Sequence, residues 1–431
     1  MNYAEALAYV AQHTSYETTG HLNSPTTERI ERLMAAMGDP HLAYPVIHIT
    51  GTNGKGSVAQ IITKLLMAQG LTVGTYTSPH LERINERFAF DGDPISDQDF
   101  ADAVAAVADL EVVVGVRPTF FETTTAVAFR HFADIAVDVA VIEVGLLGRW
   151  DATNIVQPVV AVVTNVGLDH TDLAGPTLLD IAREKAGIVK PGATLVLGET
   201  DPELAAVFRA EGPVATFERG VDFDCVGNEL ALGGRLLDLR TPSSTYTQVF
   251  LPLYGRHQGD NAAVALCAVE AFFGAPLAED VVNEGFAAVS WPGRFEVMGH
   301  QPLVILDGAH NPSGADRCAE VFFDDFDPVG RRILVVGCLR ARDPEEMLSA
   351  LRADEFDLVY CTTAPTPRGM PAEELAAAAR SIGCDDVLQV DDLERACIAA
   401  VREAQADDAV LITGSLYVVG AARPALKKMM S

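Results

Sequence analysis

The chain has 431 residues, of which 49% are hydrophobic and 21% are charged. That length supports two or three domains with a substantial buried core, and the composition is that of an ordinary globular protein. The 60 Asp and Glu outnumber the 31 Lys and Arg, and the formal net charge of −29 argues against DNA or an acidic membrane as a partner. An anionic substrate therefore needs a local concentration of cations, backbone N–H groups or metal.

The N-terminus and the cysteines predict an intracellular protein. Residues 1–16 lack the basic region of a signal peptide and have the apolar spacing of an amphipathic helix. No apolar run approaches the length that a membrane span needs. The seven Cys show no metal-ligand spacing, so we expect reduced, buried thiols in a cytoplasmic protein.

In the first half, short β-branched runs alternate with Gly-containing turns and longer Ala-rich stretches. This alternation predicts a parallel sheet covered by helices. The predicted strands are Val46–Thr50, Val139–Val144, Val159–Thr164 and Thr194–Leu197. Between about Val214 and Leu253, shorter alternating segments predict a small antiparallel β region.

A second α/β series follows the first. Its predicted strands are Leu303–Leu306, Arg332–Val336, Leu358–Thr362, Val387–Val390 and Ala409–Thr413. Pro292 and Gly293 predict a hinge, which divides the chain into domains at 1–291 and 292–431. The acidic run at 324–327 is expected to be a solvated loop.

A Gly-rich turn follows the first predicted strand and precedes a helix predicted over Val58–Ala68. Such a turn curls backbone N–H groups around phosphate oxygens, and Lys55 would neutralise phosphate charge. The strict P-loop pattern is not met, because Ile49 replaces its first Gly and Gly56 separates Lys55 from Ser57. A plain strand-to-helix turn is the alternative. No guanine-reading motif follows, which favours ATP. The candidate phosphate-binding residues are Gly51, Thr52, Asn53, Gly54, Lys55, Gly56 and Ser57.

Other polar residues also stand where predicted strands end. Ser78, Glu143 and His170 each follow an apolar run in the first half. Ligands bind at the carboxyl ends of strands in open α/β sheets, and this set suits Mg²⁺, although His is a soft ligand for it. Taken singly, each residue could also cap or pack. Lys185, one of only six Lys, is by itself expected to be a surface residue near a helix C-terminus.

The second half repeats this arrangement. Asp307 and His310 follow one apolar strand, and Ser415 and Tyr417 follow the last one. Asp307 could accept hydrogen bonds from a ribose or an amine, and His310 could orient a substrate or relay a proton. We therefore expect the reaction to take place in a cleft between the two halves.

Taken together, these residues closely resemble the folylpolyglutamate synthase and dihydrofolate synthase family, within the wider Mur-type ligases. The resemblance spans nearly the whole chain in one order. The matching pieces are Gly51–Ser57, Thr77–Leu81, Phe121-Glu122, Glu143–Gly145, Gly148–Asn154, Leu168–Thr171, Arg183–Ile188, His257–Ala262, Pro292–Glu296, Asp307–Pro312 and Gly414–Tyr417.

The resemblance implies a P-loop-type N-terminal ATPase domain with a parallel sheet and a small β region, plus a C-terminal Rossmann-like α/β domain. It implies ATP as a substrate, two Mg²⁺ ions and dependence on K⁺. Beyond the phosphate loop, it implies nucleotide contacts at Asn261, Arg294 and Asp307. The implied metal ligands are Ser57, Ser78, Glu143, His170 and a carbamylated Lys185. The implied folate contacts are Phe121, Arg149 and Asp151, and the implied glutamate contacts are His310 and Ser415. The implied catalytic residues are Lys55, Lys185, Asp307 and His310.

The resemblance also implies the reaction. A carboxylate is phosphorylated by ATP, and the amine of L-glutamate then attacks the acyl phosphate. The acceptor is a folate, dihydropteroate or both, and we expect a bifunctional, monomeric enzyme without nucleic-acid or membrane partners. The alternatives are a Mur-type cell-wall amino-acid ligase and a non-catalytic ATP-binding regulator.

One loop departs from the family pattern. The family commonly has Gly-Leu-Gly-Gly-Arg or Gly-Met-Gly-Gly-Arg where this chain has Gly145-Leu-Leu-Gly-Arg149. Leu147 reduces the backbone freedom of this loop, whereas Arg149 and Asp151 keep their spacing.

Overall fold

The computed structural model describes residues 1–20, 25–169, 171–340 and 342–430. The strands in chain order are β1 (Val46–Thr50), β2 (Val73–Tyr76), β3 (Phe88–Phe90), β4 (Asp93–Pro94), β5 (Val139–Glu143), β6 (Val160–Val163), β7 (Thr194–Leu197), β8 (Ala215–Glu218), β9 (Asp224–Ala231), β10 (Gly234–Arg240), β11 (Thr245–Leu251), β12 (Glu296–His300), β13 (Leu303–Leu306), β14 (Arg332–Val336), β15 (Leu358–Cys361), β16 (Val387–Gln389) and β17 (Ala409–Thr413). The helices are α1 (Tyr3–Ala11), α2 (Tyr16–Thr19), α3 (Glu28–Ala36), α4 (Lys55–Ala68), α5 (Asp97–Val114), α6 (Phe120–Asp134), α7 (Thr171–Ala174), α8 (Leu178–Ala186), α9 (Pro202–Arg209), α10 (His257–Phe273), α11 (Glu279–Ala287), α12 (Pro312–Glu320), α13 (Pro344–Ala350), α14 (Ala372–Ser381), α15 (Leu393–Glu403) and α16 (Leu416–Met430).

The first sheet has eight strands in the order β4-β3-β2-β5-β1-β6-β7-β8. It is parallel except at β3 and β4, which form an antiparallel edge. β1 lies between β5 and β6, with Ile49 beside Glu143 and Thr50 beside Val163. The carboxyl ends of these three strands therefore meet at one edge, where the Gly-rich turn begins.

The runs of Val and Ile in these strands are explained by burial on both faces. One face packs against α4 and α10, and the other packs against α1, α3, α5 and α6. The predicted strands of the first half are confirmed, with shifts of at most one residue at their ends. The helix after the Gly-rich turn begins earlier than predicted, at Lys55, so Lys55 and Ser57 lie in its first turn.

The antiparallel region is confirmed but smaller than predicted. β9, β10 and β11 form a three-stranded antiparallel sheet. β8, whose residues fall within the predicted antiparallel region, instead pairs in parallel with β7 and extends the first sheet.

The third sheet has six strands in the order β12-β13-β17-β14-β15-β16, parallel except for β12. The predicted strands of the second half are confirmed. Pro292 and Gly293 lie between α11 and β12, at the predicted domain boundary, which stays a prediction.

The acidic run at 324–327 is not a simple solvated loop. Most of it belongs to a helical segment over Val321–Phe326. Asp325 pairs with the buried Arg235 of β10 at 2.8 Å, because a guanidinium buried there needs an anionic partner.

Two further expectations concern the whole chain. All seven Cys thiols are free, as predicted, and six of them are buried. Within the described ranges, no helix is long and apolar enough to cross a membrane.

Candidate active site

A cavity of about 890 Å³ opens at the carboxyl ends of both parallel sheets. Its walls include the turns after β1, β2, β5 and β6 of the first sheet and the turns after β13, β14, β15 and β17 of the second. The predicted residues that line it are Thr52, Asn53, Gly54, Lys55, Gly56, Ser57, Ser78, Phe121, Glu143, Asp151, Asn261, Arg294, Asp307, His310 and Ser415. The expected cleft between the two halves is therefore present. Gly51, Arg149 and Lys185 lie outside the lining, and His170 lies outside the described residues.

The Gly-rich turn is held from both sides by polar contacts. Lys55 Nζ donates to the carbonyls of Gly51, at 3.0 Å, and Thr52, at 3.2 Å. Asn53 N donates to Asn165 Oδ1 at 3.0 Å, and Asn165 Nδ2 donates back to Asn53 O at 3.0 Å. The turn is thus fixed in shape before any phosphate enters, which is what anion binding by backbone N–H groups needs.

Gly51 cannot carry a side chain in this turn. Its φ is +152°, and a Cβ there would lie 1.8 Å from Thr164 Oγ1. That hydroxyl donates to Asn53 O at 2.6 Å. A side chain at Gly51 would therefore displace Thr164 and release the turn.

We predict that Gly51→Ala abolishes nucleotide binding and destabilises the fold by about 2–4 kcal/mol, because it breaks this buried hydrogen bond and strains the backbone. Gly70→Ala is the matched control, since Gly70 also has positive φ (+87°) but open space around its missing Cβ. The control should lose only about 1–2 kcal/mol and keep nucleotide affinity. Thermal unfolding and equilibrium binding of ATP measure both effects; equal nucleotide affinity in the two variants would contradict the prediction.

Lys185 is buried rather than on the surface, which corrects the expectation from its sequence position. Its side chain is 3% exposed, and Nζ donates to Gly51 O at 2.8 Å. Burial, followed by the positive charge of Lys55, lowers the pKa of Lys185 to about 7. A large share of this amine is therefore neutral at physiological pH, and a neutral amine is a nucleophile.

Ser57, Ser78 and Glu143, three of the predicted metal ligands, line the cavity with side-chain oxygen atoms. Glu143 is buried, and Ser78 N donates to its Oε2 at 3.1 Å. Burial raises the pKa of Glu143, and the charge of Lys55 opposes this rise. Two hydroxyls and a carboxylate are hard oxygen donors, so the set fits Mg²⁺. No cluster of three or more His, Cys, Asp or Glu suited to a metal occurs in the described part of the chain, which leaves out His170.

The predicted nucleotide contacts come from both halves. Asn261 on α10 is buried beside Gly54. A Cβ added at Gly54 would lie 2.4 Å from Asn261 Oδ1. Arg294 Nη1 donates to Gly308 O at 3.3 Å. Asp307 accepts from the backbone N–H groups of Phe295 and Ala309, both at 2.9 Å. Burial raises the pKa of Asp307, and Arg294 is the first of the groups that oppose this rise.

The predicted glutamate contacts carry no positive charge. His310 Nδ1 lies 3.0 Å from Gly308 O, and burial lowers the pKa of His310 to about 4. His310 is therefore neutral at pH 7. Ser415 is 1% exposed, and its hydroxyl donates to Gly337 O at 3.4 Å.

The predicted folate contacts divide into two groups. Phe121 and Asp151 line the cavity. The Phe121 ring packs on Gly145, where a Cβ would approach it to 2.4 Å. Asp151 is buried and accepts from Leu146 N at 2.8 Å, so it shapes the loop after β5. Arg149 lies outside the lining, pairs with Glu211 and donates to Arg183 O at 3.1 Å. Its contacts hold the loop against α8, and the geometry gives no support to its predicted contact with folate.

Leu147 adopts the left-handed conformation that a glycine favours, with φ of +59°. Its carbonyl accepts from Thr50 Oγ1 at 2.5 Å, and its side chain lines the cavity. The loop therefore keeps a glycine-like shape although a larger residue occupies the position.

The charges around the cavity balance. Among the described residues, eight Lys or Arg and eight Asp or Glu line it. The cavity is therefore richer in cations than the chain as a whole, which carries a formal charge of −29, but it has no excess of cations over anions. The expectation of concentrated cations is only partly met: the cavity is neutral inside an acidic protein.

Sequence reasoning missed several residues that position the site. Asn165 and Asn311 both form hydrogen bonds with Asn53; Asn311 Nδ2 donates to Asn53 Oδ1 at 3.0 Å and so links the two halves. Each follows a predicted strand, so their position was a usable signal. Arg342 pairs with Asp169 at 2.7 Å and also joins the two halves, but nothing in its local sequence indicated this.

The sequence and the fold match those of known proteins. Residues 49–269 match the Mur ligase middle domain, and residues 293–416 match the glutamate ligase domain of Mur ligases. Dihydrofolate synthase/folylpolyglutamate synthase of Mycobacterium tuberculosis is 39% identical, over 93% of this chain and 89% of its own length. The structure of M. tuberculosis folylpolyglutamate synthase complexed with ADP and AMPPCP has a TM-score of 0.91 at 36% identity, and the match covers 98% of both chains. Escherichia coli FolC in complex with DHPP and ADP has a TM-score of 0.88 at 31% identity, covering 100% of this chain and 99% of its own. The chain therefore belongs to the folylpolyglutamate synthase and dihydrofolate synthase family of Mur-type ATP-dependent ligases.

Proposed function

We propose that this protein uses ATP to join L-glutamate both to folates and to dihydropteroate. The observation that carries the proposal is a single cavity with the phosphate-binding turn of Lys55 on one wall and His310 and Ser415 on the other. A ligation through an acyl phosphate needs ATP, an acceptor carboxylate and an amine in one enclosed space.

In the first step, an oxygen of the acceptor carboxylate attacks the γ-phosphorus of ATP. The bond from that phosphorus to the bridging oxygen breaks, and ADP and an acyl phosphate form. Lys55 and the backbone N–H groups of its turn offset the negative charge, since phosphoryl transfer depends mainly on positioning and electrostatics.

In the second step, the neutral amine of L-glutamate attacks the acyl carbon. The carbon–oxygen bond to phosphate breaks, inorganic phosphate leaves, and the amine proton passes to a neighbouring acceptor. His310 is neutral at pH 7 and lines the wall where the amine must approach, so we assign it the orientation of that amine. Closure of the two halves excludes water from the acyl phosphate.

Ser57, Ser78 and Glu143 are the residues that we propose as Mg²⁺ ligands, together with His170 at a second ion. Bound there, Mg²⁺ supplies a Lewis acid that offsets charge on the transferring phosphoryl group. Dependence on K⁺ belongs to the same proposal and has only the family resemblance behind it.

We also propose that Lys185 reacts with CO₂ to form a carbamate. The ammonium first loses a proton; the neutral amine nitrogen then bonds to the carbon of CO₂ and releases a second proton, so that a cation becomes an anion. Its depressed pKa and its fixed position at Gly51 O support this role. The carbamate would suit a metal, whereas an ammonium would repel it.

The first test is phosphate release by the purified protein with ATP and Mg²⁺, with and without L-glutamate. Dihydropteroate and tetrahydrofolate are supplied as acceptors in parallel assays. We expect glutamate-dependent turnover with both acceptors.

The other outcomes separate the alternatives. Turnover with one acceptor would reduce the proposal to a single activity. Phosphate release that does not depend on glutamate and gives no ligated product would favour a non-catalytic ATP-binding regulator. Absence of turnover with either acceptor would favour a Mur-type ligase for cell-wall substrates.

The proposal includes a monomeric, cytoplasmic enzyme with no nucleic-acid or membrane partner. The formal charge of −29 supports the absence of polyanionic partners. Light scattering of the purified protein measures the oligomeric state.

A further inference from the structure

The turn after β2 leads from the cavity to the second half of the chain. Ser78 lines the cavity, and its backbone N–H donates to Glu143 Oε2 at 3.1 Å. A few residues further on, Leu81 and Glu82 contact helix α16 of the second half. Residues 78–83 are called the bridging loop below. This loop joins a wall of the cavity directly to the second half.

The bridging loop is stiffened by one carboxylate. Glu86 accepts hydrogen bonds from three successive backbone N–H groups of the loop. They belong to Leu81, at 2.7 Å, Glu82, at 3.1 Å, and Arg83, at 2.8 Å. Hydrogen bonds to an ionised acceptor are strong, so this part of the loop keeps its shape. A displacement of Leu81 or Glu82 is therefore passed on towards Ser78.

Leu81 packs in the core of the second half, although it belongs to the first. It contacts the hydrophobic cluster that includes Val419 of α16, and a Cβ at Gly293 would lie 3.2 Å from its side chain. The helix comes so close that a Cβ at Gly420 would lie 2.0 Å from Leu81 O. Glycine within a helix is less stable than alanine, so Gly420 needs a reason in packing. It leaves the gap that admits the backbone of the bridging loop.

Arg423 lies about one turn beyond Gly420 on α16 and faces the same loop. Its Nη1 donates to Glu82 Oε1 at 2.5 Å, and its Nε donates to both oxygens of Glu296 at 2.9 Å. The side chain of Arg423 is only 16% exposed. Glu296 Oε2 also accepts from Gly293 N, at 2.8 Å. One guanidinium thus ties together the bridging loop, α16 and the segment between the two halves.

The opposite end of α16 lies at the cavity. Ser415, which we assign to glutamate, directly precedes the helix, and Arg423 follows about two turns later. The bridging loop likewise has Ser78 at the cavity and Glu82 at the contact with Arg423. The contacts of Arg423 therefore fix two stiff elements, and with them two walls of the cavity, relative to each other.

We propose that Arg423 is a positioning residue for the ligation. Through Glu82 it holds the two halves in the orientation in which the amine of L-glutamate meets the acyl phosphate. The inference rests on the proposed function and adds to it a residue outside the lining of the cavity. It also identifies the bridging loop as the element that aligns the two walls.

Loss of this contact has a chemical signature. When the halves are misaligned, water reaches the acyl phosphate before the amine does. The water oxygen bonds to the acyl carbon, and the bond from that carbon to the phosphate oxygen breaks. A proton of the water passes to solvent, and the acceptor carboxylate and inorganic phosphate are released. ATP is then consumed without ligation.

The test measures kcat, KM and the ratio of phosphate released to ligated product in Arg423→Gln, Arg423→Lys and the control Arg331→Gln. Arg331 also pairs with two carboxylates, but both, Glu403 and Asp408, belong to the second half. We expect Arg423→Gln to lower kcat for ligation about two- to tenfold, since the pair is partly exposed. The ratio should rise from about one to about two or more, and KM for ATP should stay within about threefold of wild type. Arg423→Lys should lie between wild type and Arg423→Gln, and the control should keep the wild-type ratio.

Gly420→Ala tests the same contact without a change in charge. Alanine favours a helix more than glycine does, so the variant does not weaken α16 itself. Its Cβ would displace Leu81 O, and we expect the ratio of phosphate to product to rise as in Arg423→Gln.

The variant Glu82→Gln and the double variant with Arg423→Gln show whether the two side chains act through each other. The double variant should be no more uncoupled than Arg423→Gln alone. Thermal unfolding of wild type, both single variants and the double variant measures the contact without relying on activity, and purely additive shifts would contradict it.

A wild-type ratio in Arg423→Gln would overturn the proposal, whatever Gly420→Ala shows. An equal rise in the ratio in the control Arg331→Gln would overturn it too, because loss of any ion pair would then suffice. If either happens while wild type ligates glutamate, only this inference has failed. A wild type without glutamate-dependent turnover would instead sink the proposed function, and the positioning role with it.

Discussion

Replacement of Lys55 by Gln is expected to lower the rate of phosphate release by at least about a hundredfold. Lys55 is the cation of the phosphate-binding turn, and its Nζ lies within 3.0 Å of Gly51 O and 3.2 Å of Thr52 O. Gln keeps part of the hydrogen bonding but removes the charge that offsets the γ-phosphate. Steady-state phosphate release with saturating ATP and L-glutamate measures the effect.

Lys64→Gln is the matched control for this variant. Lys64 lies on the same helix, α4, but outside the cavity, with Nζ 3.7 Å from Met67 Sδ. It loses the same charge and should keep at least about half of the wild-type rate, because screened surface charges contribute little. Similar losses in both variants would mean that the net charge of the protein, and not the phosphate contact, is what matters.

Lys185→Met is expected to abolish activity while stabilising the protein. The variant cannot form the proposed carbamate, so the rate should fall by at least about a hundredfold. Met fills a similar volume without burying an amine, and a buried ionisable group opposes folding. We expect the free energy of unfolding at pH 7 to rise by about 1–4 kcal/mol, part of it offset by the lost hydrogen bond to Gly51 O.

The pH dependence of stability checks this cause. In the folded protein the pKa of Lys185 is lowered from 10.5 to about 7. Between these pH values the unfolded chain binds one more proton than the folded chain, so the contribution of Lys185 to stability rises with pH across that window. In CO₂-free buffer, the free energy of unfolding of wild type should therefore rise relative to that of Lys185→Met as pH increases from 7 to 10. A constant difference between the two proteins over this range would show that the stabilisation has another origin.

Addition of bicarbonate tests the carbamate separately. A carbamate forms only from the neutral amine, so CO₂-depleted wild type should recover activity on addition of bicarbonate, and more completely above pH 7 than below it. Lys185→Met should not respond. Equal activity of wild type with and without CO₂ would exclude the carbamate and leave Lys185 with the role of a buried hydrogen-bond donor.

The strands were predictable because their sequence pattern has a direct physical cause. All five residues of Val139–Glu143 are buried. Such uninterrupted burial is typical of a central parallel strand, which helices cover on both faces. The assignment of β8 failed because Ala215–Glu218 is short and only half-buried, like an antiparallel strand. β8 pairs with β7 because the tertiary fold brings the two strands side by side. The local sequence pattern carries no information about that neighbour.

The candidate site was predictable where chemistry and strand ends coincide. Lys55, Glu143 and Asp307 all follow strands whose carboxyl ends meet at the cavity. The folate contact predicted for Arg149 stays a prediction: its side chain lies outside the cavity lining and pairs with Glu211.

The equal numbers of cations and anions around the cavity have a consequence for how substrates arrive. Within the described residues, three ion pairs already join lining charges to one another, and positive and negative charges are equal in number, so the interior has little surplus positive charge to offer a polyanion. The pairs are Arg29–Glu122, Arg219–Asp260 and Arg342–Asp169. A nucleotide that enters together with its own divalent cation adds far less uncompensated charge than a bare one. Outside, beyond a Debye length of about 8 Å at physiological salt, the acidic surface neither attracts nor strongly repels small anions. We therefore expect selection among anions to depend mainly on where their charge falls within the neutral cavity.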